Sequence, residues 1–170
     1  SFMRNFPGSA VYLQAGSDRN TISYSMAVNN ASAYGAFNVS DGDTNTLTGD
    51  YIENPSGFAL LLFTNSDDNA VSLSTMIAGA AGNNALYISA SDRNQVTSSF
   101  MQNLTGDAAY LQNGADLNTI SRSTMISDVS GRVGLWIQAS SSNTVVDSYV
   151  RGSTAAWVHG SPGTMFGGTI

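Results

Sequence analysis

The 170-residue chain has no cysteine and no lysine, and only 11% of its residues are charged. The missing cysteine removes disulfides and thiol chemistry but leaves the compartment open. Six arginines are scattered through a chain of net charge −6. No basic patch is therefore available for nucleic acid, and an anionic membrane surface is an equally poor partner. No apolar run reaches transmembrane length, and no basic-then-apolar leader is present, so membrane insertion is not expected. A single histidine, His159, makes neither a metal site nor a triad and is expected at the surface. No stretch sustains a 3.6-residue period, which excludes amphipathic helices. What fills the space is Ser, Thr, Asn and Gly, a mix poor in helix formers and rich in turn formers. Three N-x-[ST] sequons, at Asn30, Asn38 and Asn103, are what chance gives in such a composition.

The remaining order is a repeat. An Asn stands two residues before an apolar residue at Asn20, Asn45, Asn69, Asn94, Asn118 and Asn143, in steps of 25, 24, 25, 24 and 25. A degenerate copy, GTMF, starts at Gly163. The opening stretch SFMRNFPGSAVYLQAGSDRNTIS returns from Ser99 as SFMQNLTGDAAYLQNGADLNTIS, four steps later. Two residues after each Asn comes Ile22, Leu47, Val71, Val96, Ile120 or Val145. Five after it comes Ser25, Asp50, Ser74, Ser99, Ser123 or Ser148, and seven after it an apolar residue such as Met76 or Met101. Upstream lies an alternating motif with apolar pairs: Val11/Leu13, Phe37/Val39, Leu60/Leu62, Leu86/Ile88, Ala109/Leu111 and Leu135/Ile137.

Alternation with period two means strands with one buried face. Each repeat holds three short strands and is too small to bury its own apolar side, so neighbours must stack. The predicted fold is all-β, a single-stranded parallel β-helix of about seven coils of 24–25 residues, spanning residues 1–170 as one domain. Leucine-rich repeats set their Asn closer to the last motif leucine, and propeller blades are longer. The pattern x-L-Y-I-x-x-S-x-x-N-T-I-x-x-S-x-M, as in 85–101 and 134–150, resembles the right-handed parallel β-helix repeats of pectate-lyase-like and NosD-like proteins. The resemblance runs over essentially the whole chain. It implies the right-handed fold but no single function, because lyases, glycosidases, phage tailspikes, adhesins and carbohydrate-binding modules share that scaffold.

The columns carry both structural and functional readings. In the Asn column, Asn tolerates a left-handed turn and its amide can bond the Asn of the next coil, a structural ladder. The Ser column is expected to satisfy buried backbone groups in a second turn, with Asp50 as the exception. Two residues before the Asn stands Asp18, Asp43, Asp67, Asp92 or Asp116. These cap turns through their own backbone, or they share a cation, and calcium suits such oxygen ligands. Asp41 and Asp43, with Asp67 and Asp68 one coil later, are the richest spot for it. The middle position of the alternating motif points outward and reads Tyr12, Asn38, Leu61, Tyr87, Tyr110, Trp136, Trp157. Large aromatics on a solvated face are unusual. Tyr12, Tyr87, Tyr110, Trp136 and Trp157 are either covered by a loop or a neighbouring chain, or form a platform for sugar rings.

For catalysis, Asp50 and Glu53, with Asp43 of the Asp column, are the densest carboxylate group, the pairing a glycosidase would need. Lyases of the resembling family place a basic residue near calcium, and without lysine Arg122 or Arg151 would have to serve. The first expectation is a non-catalytic extracellular β-helix, structural or adhesive, at a cell or virion surface. It would bind polysaccharide through the aromatic column or assemble with itself, laterally or head to tail. The alternative is the β-helix body of a polysaccharide-degrading hydrolase, lyase or tailspike. No cofactor beyond calcium is expected. Ser1 shares the phase of Ser99, and Gly168-Thr169-Ile170 align with Ser148-Tyr149-Val150, so the chain is expected to be a slice of a longer β-helix or a filament-forming unit.

Overall fold

A computed structural model describes residues 1–168, and every regular element among them is a β-strand. The strands form three parallel sheets of seven. Each coil gives one strand to each sheet in turn. The first coil supplies Phe2–Asn5, Val11–Leu13 and Thr21–Ser23 to the first, second and third sheets. Equivalent residues pair coil on coil, as Val96 does with Val71 and Ile120. Parallel strands need a long return connection. Here the rest of the coil is that connection, so the result is a β-solenoid of about seven turns.

The inward columns are the expected ones. Leu86–Ser89 alternates buried and half-buried positions, with Leu86 and Ile88 inside. Volumes are balanced within a coil: Phe37 packs in the core of the coil in which the first-sheet position is only Ala27. Ala36, Ala59, Ala85 and Ala108 are fully buried at the start of the second-sheet strands.

The alternation of 24 and 25 residues arises at two corners: the advance between the second and third sheets is ten or nine residues, as from Val11 to Thr21 and from Phe37 to Thr46, and the larger change lies at the corner before it. Between the first and second sheets, Phe2 to Val11, Tyr51 to Leu60 and Phe100 to Ala109 each advance nine residues. Met26 to Phe37, Thr75 to Leu86 and Thr124 to Leu135 advance eleven. The repeating unit is therefore a pair of coils, 49 residues long, and the duplicated opening stretch is two such units apart. The short corners carry N-x-x-G at Asn5, Asn54 and Asn103. Asn54 Nδ2 donates to the carbonyls of Ala31 and Tyr34, and Asn103 Nδ2 to those of Ala80 and Asn83, capping the long corner beneath. At Gly57 a Cβ would lie 2.5 Å from the Ala31 oxygen, so only glycine admits this approach.

Three continuous side-chain ladders close the other corners, beside a broken fourth in which Ser91, Ser140 and Ser161 accept the N–H of Ser66, Ala115 and Ser140. The backbone N–H of Asn20, Asn45, Asn69, Asn94 and Asn118 donates to Oδ1 of the Asn one coil on, at 2.8–2.9 Å. Amide-to-amide bonding, expected throughout the column, occurs between Asn20 and Asn45. Nor is Asn the left-handed residue: Arg19, Thr44, Asp68, Arg93, Leu117 and Ser142, each one position earlier, have φ of 55–59°. The Asn backbone must stay extended for its N–H to reach the next coil. The Ser column behaves as expected. Ser74, Ser99, Ser123 and Ser148 each accept the N–H of the column residue one coil before and donate to the carbonyl two residues back.

The seventh coil departs from the expected register. Its first corner shrinks to seven residues, Tyr149 to Ala156, and Thr144 pairs with Met165. Thr164 rather than Gly163 thus falls opposite Asn143, and Gly163, φ 72°, takes the left-handed slot of Ser142. Gly167 pairs with Val146, which sets Gly168 opposite Asp147. The alignment proposed for Thr169 and Ile170 lies outside the described residues.

Adjacent positions 117 and 118 should respond oppositely. Asn118→Ala strips the acceptor from Asn94 N–H and the donor from the Ser91 carbonyl, and should cost about 2–5 kcal/mol. Leu117→Asn relieves a left-handed leucine whose side chain is mostly in solvent, and should add about 0.5–1 kcal/mol. Urea melts of the two variants measure both.

Candidate functional site

The second sheet presents the aromatic column. Tyr87, Tyr110, Trp136 and Trp157 are neighbours in register, so strand spacing brings their rings together. Tyr110 and Trp136 stack at 4.8 Å and 22°, and Trp136 and Trp157 at 5.0 Å and 3°. Tyr87 meets Tyr110 edge-on at 5.9 Å and Phe58 at 5.2 Å. The column is half-buried by its own members. Trp136 has a ring against each face and its indole N–H is enclosed without an acceptor. Free aromatic surface is left at the ends, where Trp157 is 50% exposed and Tyr12 53%.

The stack is broken between Tyr12 and Tyr87, where Asn38 and Leu61 occupy the column. The break is a groove of about 620 Å³. Tyr34, from a long corner, and Phe58, beside a short one, rise along one side, and Phe63 stands on the other. No charged side chain lines it. Corner residues carry no fixed column position, so Tyr34 and Phe58 were invisible to column-by-column comparison. Phe63 stands in the outward column two residues on, where its coil neighbours are Ser40 and Ser89, and it was passed over in the sequence.

The structure does not bring the three candidate catalytic carboxylates together. Asp50 is buried in the corner between the third and first sheets. Glu53 lies on the outer face of the first sheet and accepts the Tyr51 hydroxyl at 3.1 Å. Asp43 sits in the corner between the second and third sheets. Of the candidate basic residues, Arg151 pairs with Asp128, and Arg122 holds an exposed left-handed corner position.

The Asp column is a third ladder. Asp18, Asp43, Asp67, Asp92 and Asp116 accept, through Oδ1, the backbone N–H of the equivalent residue in the following coil, at 2.5–2.9 Å. Its bonds run opposite to those of the Asn and Ser ladders. At the proposed calcium spot, the Arg93 guanidinium holds both oxygens of Asp68 at 3.0 Å and one of Asp67 at 3.1 Å. That fork offsets the stacked carboxylates where a cation was considered. Asp41 is exposed, with a left-handed backbone. Among the described residues no three acidic, His or Cys side chains gather closely enough to share a metal. Two of the three sequon residues, Asn38 and Asn103, are buried.

Asp50 replaces a hydroxyl in the Ser ladder. Its Oδ1 accepts Ser25 N–H at 2.8 Å, while Oδ2 is enclosed with no partner. Burial raises its pKa, outweighing the backbone at Ser25 and Thr48 and the distant Ser1 ammonium, all of which lower it. Its serine neighbours donate a hydroxyl proton that an ionised Asp50 lacks.

Compared with known families, the profile described as right handed beta helix region matches residues 2–150. No curated protein matches the chain.

A carboxyl with a raised folded pKa stabilises the fold only while protonated. That contribution is complete below its unfolded pKa and is lost as pH rises through the folded value. Asp50→Ser should therefore stabilise the protein at neutral pH by about 1–3 kcal/mol. The gain should shrink as pH falls through the raised pKa toward the ordinary carboxylate range. Urea melts across that range test it, and a gain independent of pH would contradict it.

Proposed function

The chain belongs to the right-handed β-helix family, and on that premise we propose that it is a non-catalytic extracellular β-helix that adheres to neutral polysaccharide. The contact runs along the outer face of the second sheet. The observation that carries this reading is the uncharged groove framed by Tyr12 and Tyr87. Its volume and mostly apolar walls with a few polar groups are those of small-ligand sites. Aromatic faces offer apolar surface to the C–H side of a sugar ring, and neutral walls suit a ligand without charge. Trp157 supplies a second free face six coils from Tyr12, about 29 Å along the axis at strand spacing. A polymer touching both ends gains from effective concentration. The scattered carboxylates favour adhesion over hydrolysis, since a glycosidase needs two of them across one bond.

Tyr12→Ala and Tyr87→Ala should each weaken retention in native gels cast with neutral polysaccharide by about tenfold, the scale of a central anchor. Polysaccharide should also change Trp157 fluorescence. A wild-type protein that no neutral polysaccharide retards would end this reading.

Lateral self-association is a second reading, favoured by a different face. The outer side of the first sheet carries Met26, Val28, Tyr51, Ile77, Phe100 and Ile126 in adjacent strands, with Arg4 and Arg151 at its two ends. Glu53, Thr75, Gln102 and Thr124 alternate with them, and such a mixed apolar and polar face has the make-up of a non-obligate interface. Sedimentation velocity should then show concentration-dependent dimers that Ile77→Glu abolishes. A monomer at all concentrations would exclude it.

A further inference from the structure

We propose that Asn38 and Ser9 select the ligand of the groove by taking one hydroxyl of a neutral sugar ring between them. This rests on the carbohydrate reading above and adds the residues that discriminate among ligands. In the column Tyr12–Asn38–Leu61–Tyr87, Asn38 is the polar break between a tyrosine and a leucine, and it is 5% exposed. Its Nδ2 donates to Ser9 Oγ at 2.8 Å. Its Oδ1 is enclosed and receives no donor. Turning the amide over would give Oδ1 to the Ser9 hydroxyl and leave Nδ2 without an acceptor. Either orientation therefore leaves half of the amide unused. Buried amides are normally paired; here one half is sealed against Gly35, so the edge beside Ser9 is the part left to meet a partner in the groove.

The chemistry of that partner follows from the two groups. With the amide turned, Oδ1 takes the edge beside Ser9, where an Oδ1 lone pair is free to accept and the Ser9 hydroxyl proton is free to donate. A group that both accepts and donates at one atom satisfies the pair, and a hydroxyl does so. An ether, an aromatic ring or a carboxylate satisfies at most one member. The amide can present Oδ1 to the groove by rotating about χ2, a broad and nearly two-fold torsion. Tyr12 and Tyr87 bound the space on either side, so the ring bearing the hydroxyl meets apolar surface. Acidic sugars are disfavoured, because the groove has no cation and the chain carries net charge −6.

Gly35 offers a way to disturb the amide from behind. A Cβ there would stand 2.1 Å from Asn38 Oδ1 and 2.9 Å from Leu61 Cδ1. Gly35 has no left-handed φ and does not line the groove, so Gly35→Ala reaches the groove by displacing the amide and the Leu61 methyl.

The test is calorimetric titration of the purified chain with short neutral oligosaccharides of glucose, mannose and galactose, alongside their deoxy analogues. The wild type should bind at least one of them, and removing the recognised hydroxyl should weaken binding about tenfold or more. Asn38→Leu should weaken it similarly and abolish the discrimination against the deoxy sugar. Ser9→Ala and Gly35→Ala should fall between. Asn38→Leu binding within about twofold of wild type, while Tyr12→Ala loses binding, would overturn the inference and leave the carbohydrate reading standing. A wild type that binds none of the sugars would overturn both. The deoxy comparison uses the wild type alone, so it decides the matter even if a variant fails to fold.

Discussion

Each corner of this solenoid turns backbone N–H groups away from any strand, and they must still be paired. The chain meets that demand with side chains one coil away: Asn and Ser accept the N–H of the preceding coil, Asp that of the following one. Everything regular in the molecule follows from it. A ladder residue works only if its counterpart sits directly over it, so the ladders hold successive coils in one register. The inward apolar columns then align without further instruction. The same demand explains the costly left-handed residues before the Asn and Ser columns. Tyr24, Leu73 and Leu117 tolerate φ near 50–60° because the turn must aim the next N–H along the axis.

Regularity also determines where recognition is possible. Aromatic residues repeated at strand spacing spend their faces on one another, as Trp136 does between Tyr110 and Trp157. A uniform aromatic column would offer little to a ligand but edges. The groove exists because Asn38 and Leu61 interrupt the column and corner aromatics close over the gap. The Ser ladder has the corresponding irregularity in Asp50, but there the departure is sealed inside a corner and bears on stability instead.

Much of this was legible in the sequence. The Asn, Ser and Asp columns and the inward positions of the third and first sheets can be read by counting from a single anchor, because the path from the third sheet to the first has constant length; the second-sheet columns, outward aromatics included, are read from their own alternating motif. Asp50 stood out as the carboxylate among hydroxyls. Legibility failed where the count slips. The corner between the first and second sheets alternates between two lengths, so Tyr34, Phe58 and Ser9 have no stable column and the groove they build could not be anticipated. Gly163 was misplaced by one residue for the same reason, since its coil shortens at that corner. The left-handed positions were assigned to Asn on residue preference. The structure puts them one residue earlier because the direction of an N–H outranks the preference of a side chain.

The pairing of a short corner with a long one has a consequence for how such a shaft changes length. Asn54 and Asn103 each cap the long corner of the coil beneath, so a single inserted coil would bring two like corners together and orphan a cap. Inserting two coils restores the sequence of caps. Growth and loss are therefore quantised, in steps of about 10 Å along the axis. A genome that copies 49 residues copies a module whose two faces already match, and the near-verbatim sentence at Ser1 and Ser99 is the residue of that arithmetic.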